Sequence, residues 1–220
     1  MQNAMWHFHS IASAIIMLLC AAGSAFGDGA TGSQGSKGIV DSADVFPFQK
    51  GATELQVVTG PFFHLAPTGN PRPRTNYMQV GIRYGWMLST PGKGGLFRGN
   101  IEFLLEAFGA GIYQGPGNYL IGADMMFRYN FVQPGARLIP YLQTVTGGLY
   151  NDVYKTKTQG LLDTAGEFYL GADLGLRWMV RSDVAISGEF GYRHISNANI
   201  GPQNLGLNSL GVTLGVSFFF

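Results

Sequence analysis

The chain has one cysteine in 220 residues, Cys20. It lies within the apolar run 11–22, which is followed by the small residues Gly23, Ser24, Ala25 and Gly27. The pattern predicts a secretory signal over residues 1–27, cleaved after Ala25 or Gly27. A mature chain without Cys20 offers no thiol, disulfide or cysteine metal ligand. Leu19 precedes Cys20 where a lipoprotein site would want a small residue. The run is shorter than the ~20 apolar residues of a spanning helix, which argues against a helical anchor. Its n-region lacks Lys and Arg, so the positive charge there falls to the amino terminus with His7 and His9.

Charge is also scarce. Asp, Glu, Lys and Arg make up 12% of the chain, against a usual ~25%. A net charge of +1 provides no basic field to attract phosphate, so no nucleic acid partner is expected. No constellation of metal ligands stands out, and no cofactor is expected. Glycine-rich pieces such as the stretch 115–122 are not followed by a helix whose N-terminus could cradle a phosphate. His64 stands alone, with the parity of an inward-facing or rim residue.

Glycine (33 residues) and aromatics (13%) are abundant instead, and apolar residues alternate with polar ones. After a Gly/Ser/Asp-rich segment at 28–52, expected to be a flexible periplasmic lead-in, the chain breaks into eight alternating segments. They fall at about 53–65, 77–89, 96–109, 118–131, 138–150, 166–180, 183–196 and 208–220, each near the ~9–11 residues of a tilted membrane-crossing strand. Residues two apart share a face of a strand. One face therefore carries Arg83, Glu102, Glu106, Asp124, Arg128, Asp173, Arg177, Glu189 and Arg193. The other carries Val80, Ile82, Tyr84, Ile101, Phe103, Leu105, Phe168, Leu170 and Leu174. This is the pattern of an all-β protein, an eight-stranded antiparallel up-and-down transmembrane β-barrel over 53–220, with a packed polar interior and an apolar exterior. A soluble lipocalin-like carrier would need the faces reversed.

Connections after the first, third, fifth and seventh segments are the longer ones on the whole, and in outer-membrane barrels longer loops face outside. The end of the seventh strand is then expected near the outer surface, in the leaflet that holds lipopolysaccharide in a Gram-negative cell.

The terminal hairpin, 183–220, holds the anomaly. Its last strand places Leu210, Val212, Leu214, Val216, Phe218 and Phe220 on one face. The preceding strand places Val184, Ile186, Phe190 and Tyr192 on its outward face, and His194 and Ser196 continue that parity. Two residues apart along a strand is roughly 6–7 Å. Asn208 has the parity of Leu210, so it projects beside them. A base, a nucleophile and an orienting group thus share one outward patch, where an ionisable side chain costs solvation unless it is used or hydrated.

The stretch His194-Ile195-Ser196-Asn197-Ala198, followed by Pro202, Gly206 and the closing amphipathic strand, resembles the outer-membrane lipid A 3-O-deacylases, the PagL-like acyloxyacyl hydrolases. The resemblance implies a carboxylic ester hydrolase in the outer membrane, acting on lipid A or lipopolysaccharide. It implies Ser196 as nucleophile and His194 as its base. The family's third member is a glutamate at the position of Asn208, and a glycine is expected at Asn199. This chain differs at both. An asparagine can fix the imidazole tautomer but cannot offset imidazolium charge. Asp163, in the fifth-to-sixth connection, is an alternative carboxylate. Asn197 and nearby backbone N–H groups are the oxyanion candidates. A noncatalytic structural or adhesion barrel is the alternative reading, and oligomeric state is open, a homodimer among the options.

Overall fold

The structure, a computed structural model, describes residues 46–66, 73–201 and 205–220. The expected signal with Cys20, the lead-in up to residue 45, and Pro202 lie outside the described residues.

Eight strands follow one another: β1 (Thr53–His64), β2 (Asn76–Met87), β3 (Asn100–Gln114), β4 (Tyr119–Asn130), β5 (Leu138–Asn151), β6 (Gly166–Met179), β7 (Val184–Ser196) and β8 (Leu207–Phe219). Each pairs antiparallel with the next, and β1 pairs with β8 to close the barrel. Closure leaves no unpaired edge, the condition a sheet must meet to sit in lipid. β1, β3, β5 and β7 end, and β2, β4, β6 and β8 begin, at one end of the barrel, here the long-loop end. The opposite end holds both strand termini, with Thr53 N–H donating to Phe220 O at 3.1 Å.

Seven strands begin and end within two residues of their expected bounds. β3 is the exception, lying four to five residues later than the 96–109 expected. Leu96 and Phe97 look strand-like but are highly exposed and belong to the connection 88–99. That connection is held by its own bonds. Arg98 N–H donates to Gly95 O at 3.0 Å, its side chain donates to Gly92 O and Val132 O, and Tyr129 Oη donates to Phe97 O. At the other end β3 continues through Gly111 and Ile112, paired with both neighbours or with β2. Small residues there weaken the alternation by which a strand is recognised.

Parity divides the side chains as expected. Val80, Ile82, Leu174, Val212 and Leu214 are exposed on the outside, a contiguous apolar band that water would penalise and lipid would not. All nine inward charges expected from the sequence are buried. They form one mixed belt. Arg83 bonds Glu106 at 2.7 Å and Glu189 at 2.6 Å, Arg177 bonds Glu54 at 2.7 Å, and Arg193 forks onto both oxygens of Asp173. Gln143 links Arg128 to Asp173, and Tyr141 Oη donates to Glu189 at 2.7 Å. Tyr141 reaches the belt because position 175 is glycine: a Cβ there would lie 2.1 Å from its ring.

Apolar clusters cap the belt at both ends. Phe62, Tyr77, Phe108, Leu149, Val153, Leu161, Ile195 and Leu207 pack at the long-loop end. Phe48, Met87, Val132, Ile139, Met179 and Phe219 pack at the other. Phe48 belongs to the segment expected to be flexible to residue 52. Instead residues 46–52 fold onto the barrel end. Phe48 packs on Phe219 at 5.8 Å between ring centroids, and its carbonyl accepts from Asn100 Nδ2 at 3.0 Å.

Candidate active site

Strand register builds the site. In the β7–β8 pair His194 lies directly opposite Asn208, and Tyr192 opposite Leu210. Directly opposed residues have Cβ atoms ~4.5–5.5 Å apart, so their side chains can touch without backbone adjustment. His194 Nδ1 lies 2.7 Å from Asn208 Oδ1, and His194 Nε2 lies 2.9 Å from Ser196 Oγ. The three residues expected to share an outward patch form one continuous hydrogen-bonded row at the long-loop end of β7 and β8. All three are partly buried. Phe168 and Leu170 of β6, paired with Ser196 and His194, flank the row with exposed apolar side chains.

The bonding fixes a tautomer. An amide oxygen can only accept, so His194 Nδ1 carries the hydrogen it donates to Asn208. In the neutral ring Nε2 is then the unprotonated nitrogen and accepts from the Ser196 hydroxyl. A serine whose proton already points at an imidazole lone pair is poised for base-assisted attack.

The turn after β7 is shaped by short polar bonds. Ala198 and Asn199 take left-handed backbone angles, φ 53° and 64°. Asn197 Oδ1 accepts from Asn199 N–H at 3.0 Å, and Asn197 O accepts from Ile200 N–H at 3.0 Å. An Asx-type turn of this kind tolerates left-handed residues. Asparagine is among the residues that visit this region most readily, so the expected glycine position at 199 is served by another residue suited to it. Asn197 itself is buried, and its Nδ2 lies close to Gly201.

Gly206 bears on the site from the other side of the loop. Its φ is +69°, and a Cβ there would stand 3.0 Å from His194 Cε1. Its N–H donates to Leu161 O at 3.1 Å, tying the loop before β8 to the connection 152–165. In that connection Gln159 Oε1 accepts from the N–H groups of Leu161 and Leu162. Asp163 also sits there, with Oδ2 near Gly201. His194 Nδ1 meets Asn208 Oδ1 and Nε2 meets Ser196 Oγ, so Asn208 holds the position beside Nδ1 to which Asp163 is the alternative.

His64, at the end of β1, accepts from Thr75 N–H at 3.3 Å through Nδ1 and takes no part in the row. Among the described residues no group of three His, Cys, Asp or Glu is arranged to hold a metal. One neighbour was not anticipated: Tyr192, expected only as part of the apolar face, donates its hydroxyl to Asn208 Oδ1 at 2.6 Å. Parity alone could not show this contact, which runs diagonally across the strand pair.

The fold is shared with solved outer-membrane proteins. The crystal structure of the outer-membrane enzyme PagL aligns with TM-score 0.54 at 17% identity, covering 74% of this chain and 97% of that one. Neisserial surface protein A aligns with TM-score 0.51 at 17% identity, covering 77% and 99%. At such identities the likeness is one of fold. No curated protein sequence matches the chain. The sequence of residues 76–217, from the start of β2 into β8, does match the family model of the lipid A 3-O-deacylases (PagL). That match spans most of the chain and takes in the whole Ser196–His194–Asn208 row, so this outer-membrane barrel belongs to the lipid A 3-O-deacylase (PagL) family.

Proposed function

We propose that the chain hydrolyses a primary ester-linked acyl chain of lipid A, at the 3-O position, with Ser196 as nucleophile. The observation that carries the reading is the unbroken row from Ser196 Oγ through the imidazole to Asn208 Oδ1. It lies on the outward face of a barrel whose neighbouring residues are apolar. Such a surface suits a substrate that is itself a membrane lipid. The long-loop end then faces the cell exterior, which brings the row to the outer leaflet.

The chemistry follows from the tautomer. Ser196 Oγ attacks the ester carbonyl while His194 Nε2 takes its proton, giving a tetrahedral intermediate. The imidazolium returns that proton to the departing sugar oxygen, leaving an acyl-serine. A water, deprotonated by His194, attacks the acyl carbonyl, and release of the fatty acid restores Ser196. Asn208 holds the ring and its tautomer but carries no charge to set against the imidazolium. In a serine protease triad, asparagine in place of aspartate costs roughly 10⁴ in rate, largely through the wrong tautomer. Here the amide oxygen faces Nδ1 and supports the right one. Donors for the oxyanion are assigned to Asn197 Nδ2 and N–H groups of its turn, where fixed dipoles stabilise developing charge without reorganisation.

Fatty acid release from lipid A in mixed micelles by the purified, folded barrel tests the reading. The native chain is expected to release one acyl species, and Ser196→Ala and His194→Ala to release none. Inactivity of the native chain across micelle and membrane conditions would favour a noncatalytic barrel, the reading that an uncharged residue at 208 otherwise supports.

A further inference from the structure

Among the described residues of this face, the Tyr192 hydroxyl is a polar group to which the proposed chemistry gives no task. It approaches Asn208 Oδ1 at 2.6 Å, the same oxygen that faces His194 Nδ1 at 2.7 Å. An amide oxygen has two lone pairs and no hydrogen. Two donors, the phenolic O–H and the imidazole Nδ1–H, therefore saturate it.

The importance of that second donor follows from the amide itself. A carboxylate is symmetric, so half a turn about its last bond changes nothing. The same half-turn in Asn208 exchanges an acceptor for a donor. With Nδ2 facing the ring, His194 Nδ1 would have to accept. The ring hydrogen would move to Nε2, which would meet Ser196 with a proton where a lone pair is required. An asparagine at this position therefore needs its orientation enforced. A phenol hydroxyl can accept as well as donate, but its oxygen lone pair is drawn into the ring and it is the better donor. Turning the amide would replace its donation with a weaker accepted bond and leave the phenolic proton against an apolar face.

We propose that Tyr192 is a positioning residue: its hydroxyl locks the Asn208 amide with the oxygen toward His194, which keeps the imidazole in the Nδ1–H tautomer that can take the proton of Ser196. The proposal rests on the reading of His194 as the base. It also assigns a reason for asparagine to be workable here, since the tyrosine supplies the orientation that a carboxylate would not need.

Two measurements on the solubilised barrel test it, using native chain, Tyr192→Phe, Asn208→Asp and the double variant. Heat-modifiable gel mobility confirms that each has folded. The first is ¹⁵N NMR of labelled histidine, which distinguishes Nδ1–H from Nε2–H. Tyr192→Phe is expected to shift His194 toward Nε2–H in the native background and to leave it unmoved in the Asn208→Asp background. The second is kcat and KM for lipid A in micelles. Tyr192→Phe is expected to lower kcat by about tenfold, the equivalent of ~1.4 kcal/mol, with KM little changed. In the Asn208→Asp background its effect should fall to within about twofold, the symmetry of the carboxylate making the lock redundant. A folded Tyr192→Phe protein with an unmoved tautomer would overturn the proposal, and so would an equal kcat loss in both backgrounds, which marks a packing role. A native chain that hydrolyses nothing, but whose His194 tautomer still follows Tyr192, would uphold the lock and overturn the hydrolase reading instead.

Discussion

At position 208 the amide and the glutamate carboxylate that the resemblance implies there differ in charge, symmetry and length. Asn208 accepts from both His194 and Tyr192, so removing its side chain allows the imidazole to turn. Asn208→Ala is expected to lower the rate of fatty acid release about tenfold, the scale of one lost orienting hydrogen bond. Asn208→Glu should raise it above the native rate, since a carboxylate opposes the charge that builds on the ring. Initial rates on lipid A micelles check both. The alignment of Ser196, His194 and Asn208 was legible in the sequence because a strand's period of two is unforgiving: one residue of slip in β7 would send His194 and Ser196 inward, and one in β8 would do the same to Asn208. The diagonal Tyr192 contact was not, because it depends on which residue of β8 stands opposite His194. Nor was the burial of Asn197, whose backbone leaves the strand and enters a turn that parity does not describe.

The hairpin and its supporting connection form the next scale. Gly206 combines a left-handed φ of +69° with a Cβ position 3.0 Å from the imidazole. Gly206→Ala should therefore displace His194 and lower activity, by about tenfold or more, while heat-modifiable mobility remains intact. Asp152, between β5 and the 3-10 turn Val153–Lys155, ties that connection to the turn before β4. Its carboxylate accepts from Asn118 N–H at 2.7 Å, Asn118 Nδ2 at 2.8 Å and Tyr119 N–H at 3.1 Å. Burial pushes its pKa up, but these donors outweigh burial and hold it below the ordinary carboxylate value. A depressed folded pKa contributes stability that is present above the unfolded value of ~3.9 and lost as pH falls through the folded one. Hydrogen exchange at Asn118 and Tyr119 should accordingly lose protection only below about pH 4. Asp152→Asn should weaken that protection at neutral pH. The ends of β3 illustrate what sequence leaves out at this scale. Leu96 and Phe97 alternate like strand residues, yet the bonds of Arg98 and Tyr129 fix them in a connection.

Across the whole molecule, a charged interior is wrapped in an apolar exterior, and the inward set was readable because buried charge sits at strict alternate positions. What pairs with what was not readable, since Arg83 reaches Glu189 across 106 positions of chain. Glu189 accepts from Arg83, Tyr141 and Thr213. Glu189→Ala would leave Arg83 partly uncompensated inside the barrel, and breaking a buried pair in this way costs ~3–5 kcal/mol. The urea midpoint for unfolding from detergent or lipid should fall accordingly, whereas Ser196→Ala, at the rim, should leave it close to native. This separation matters for function, because it allows the chemistry to be removed while the barrel remains.

That variant gives the most direct test of the central claim, that Ser196 attacks an acyl ester of lipid A. Mass spectrometry of lipid A from Gram-negative cells expressing the native chain should show species lighter by one primary acyl chain. Cells carrying an equal amount of folded Ser196→Ala barrel should show unmodified lipid A. Deacylated lipid A from the Ser196→Ala cells, matching that from the native chain, would contradict the account.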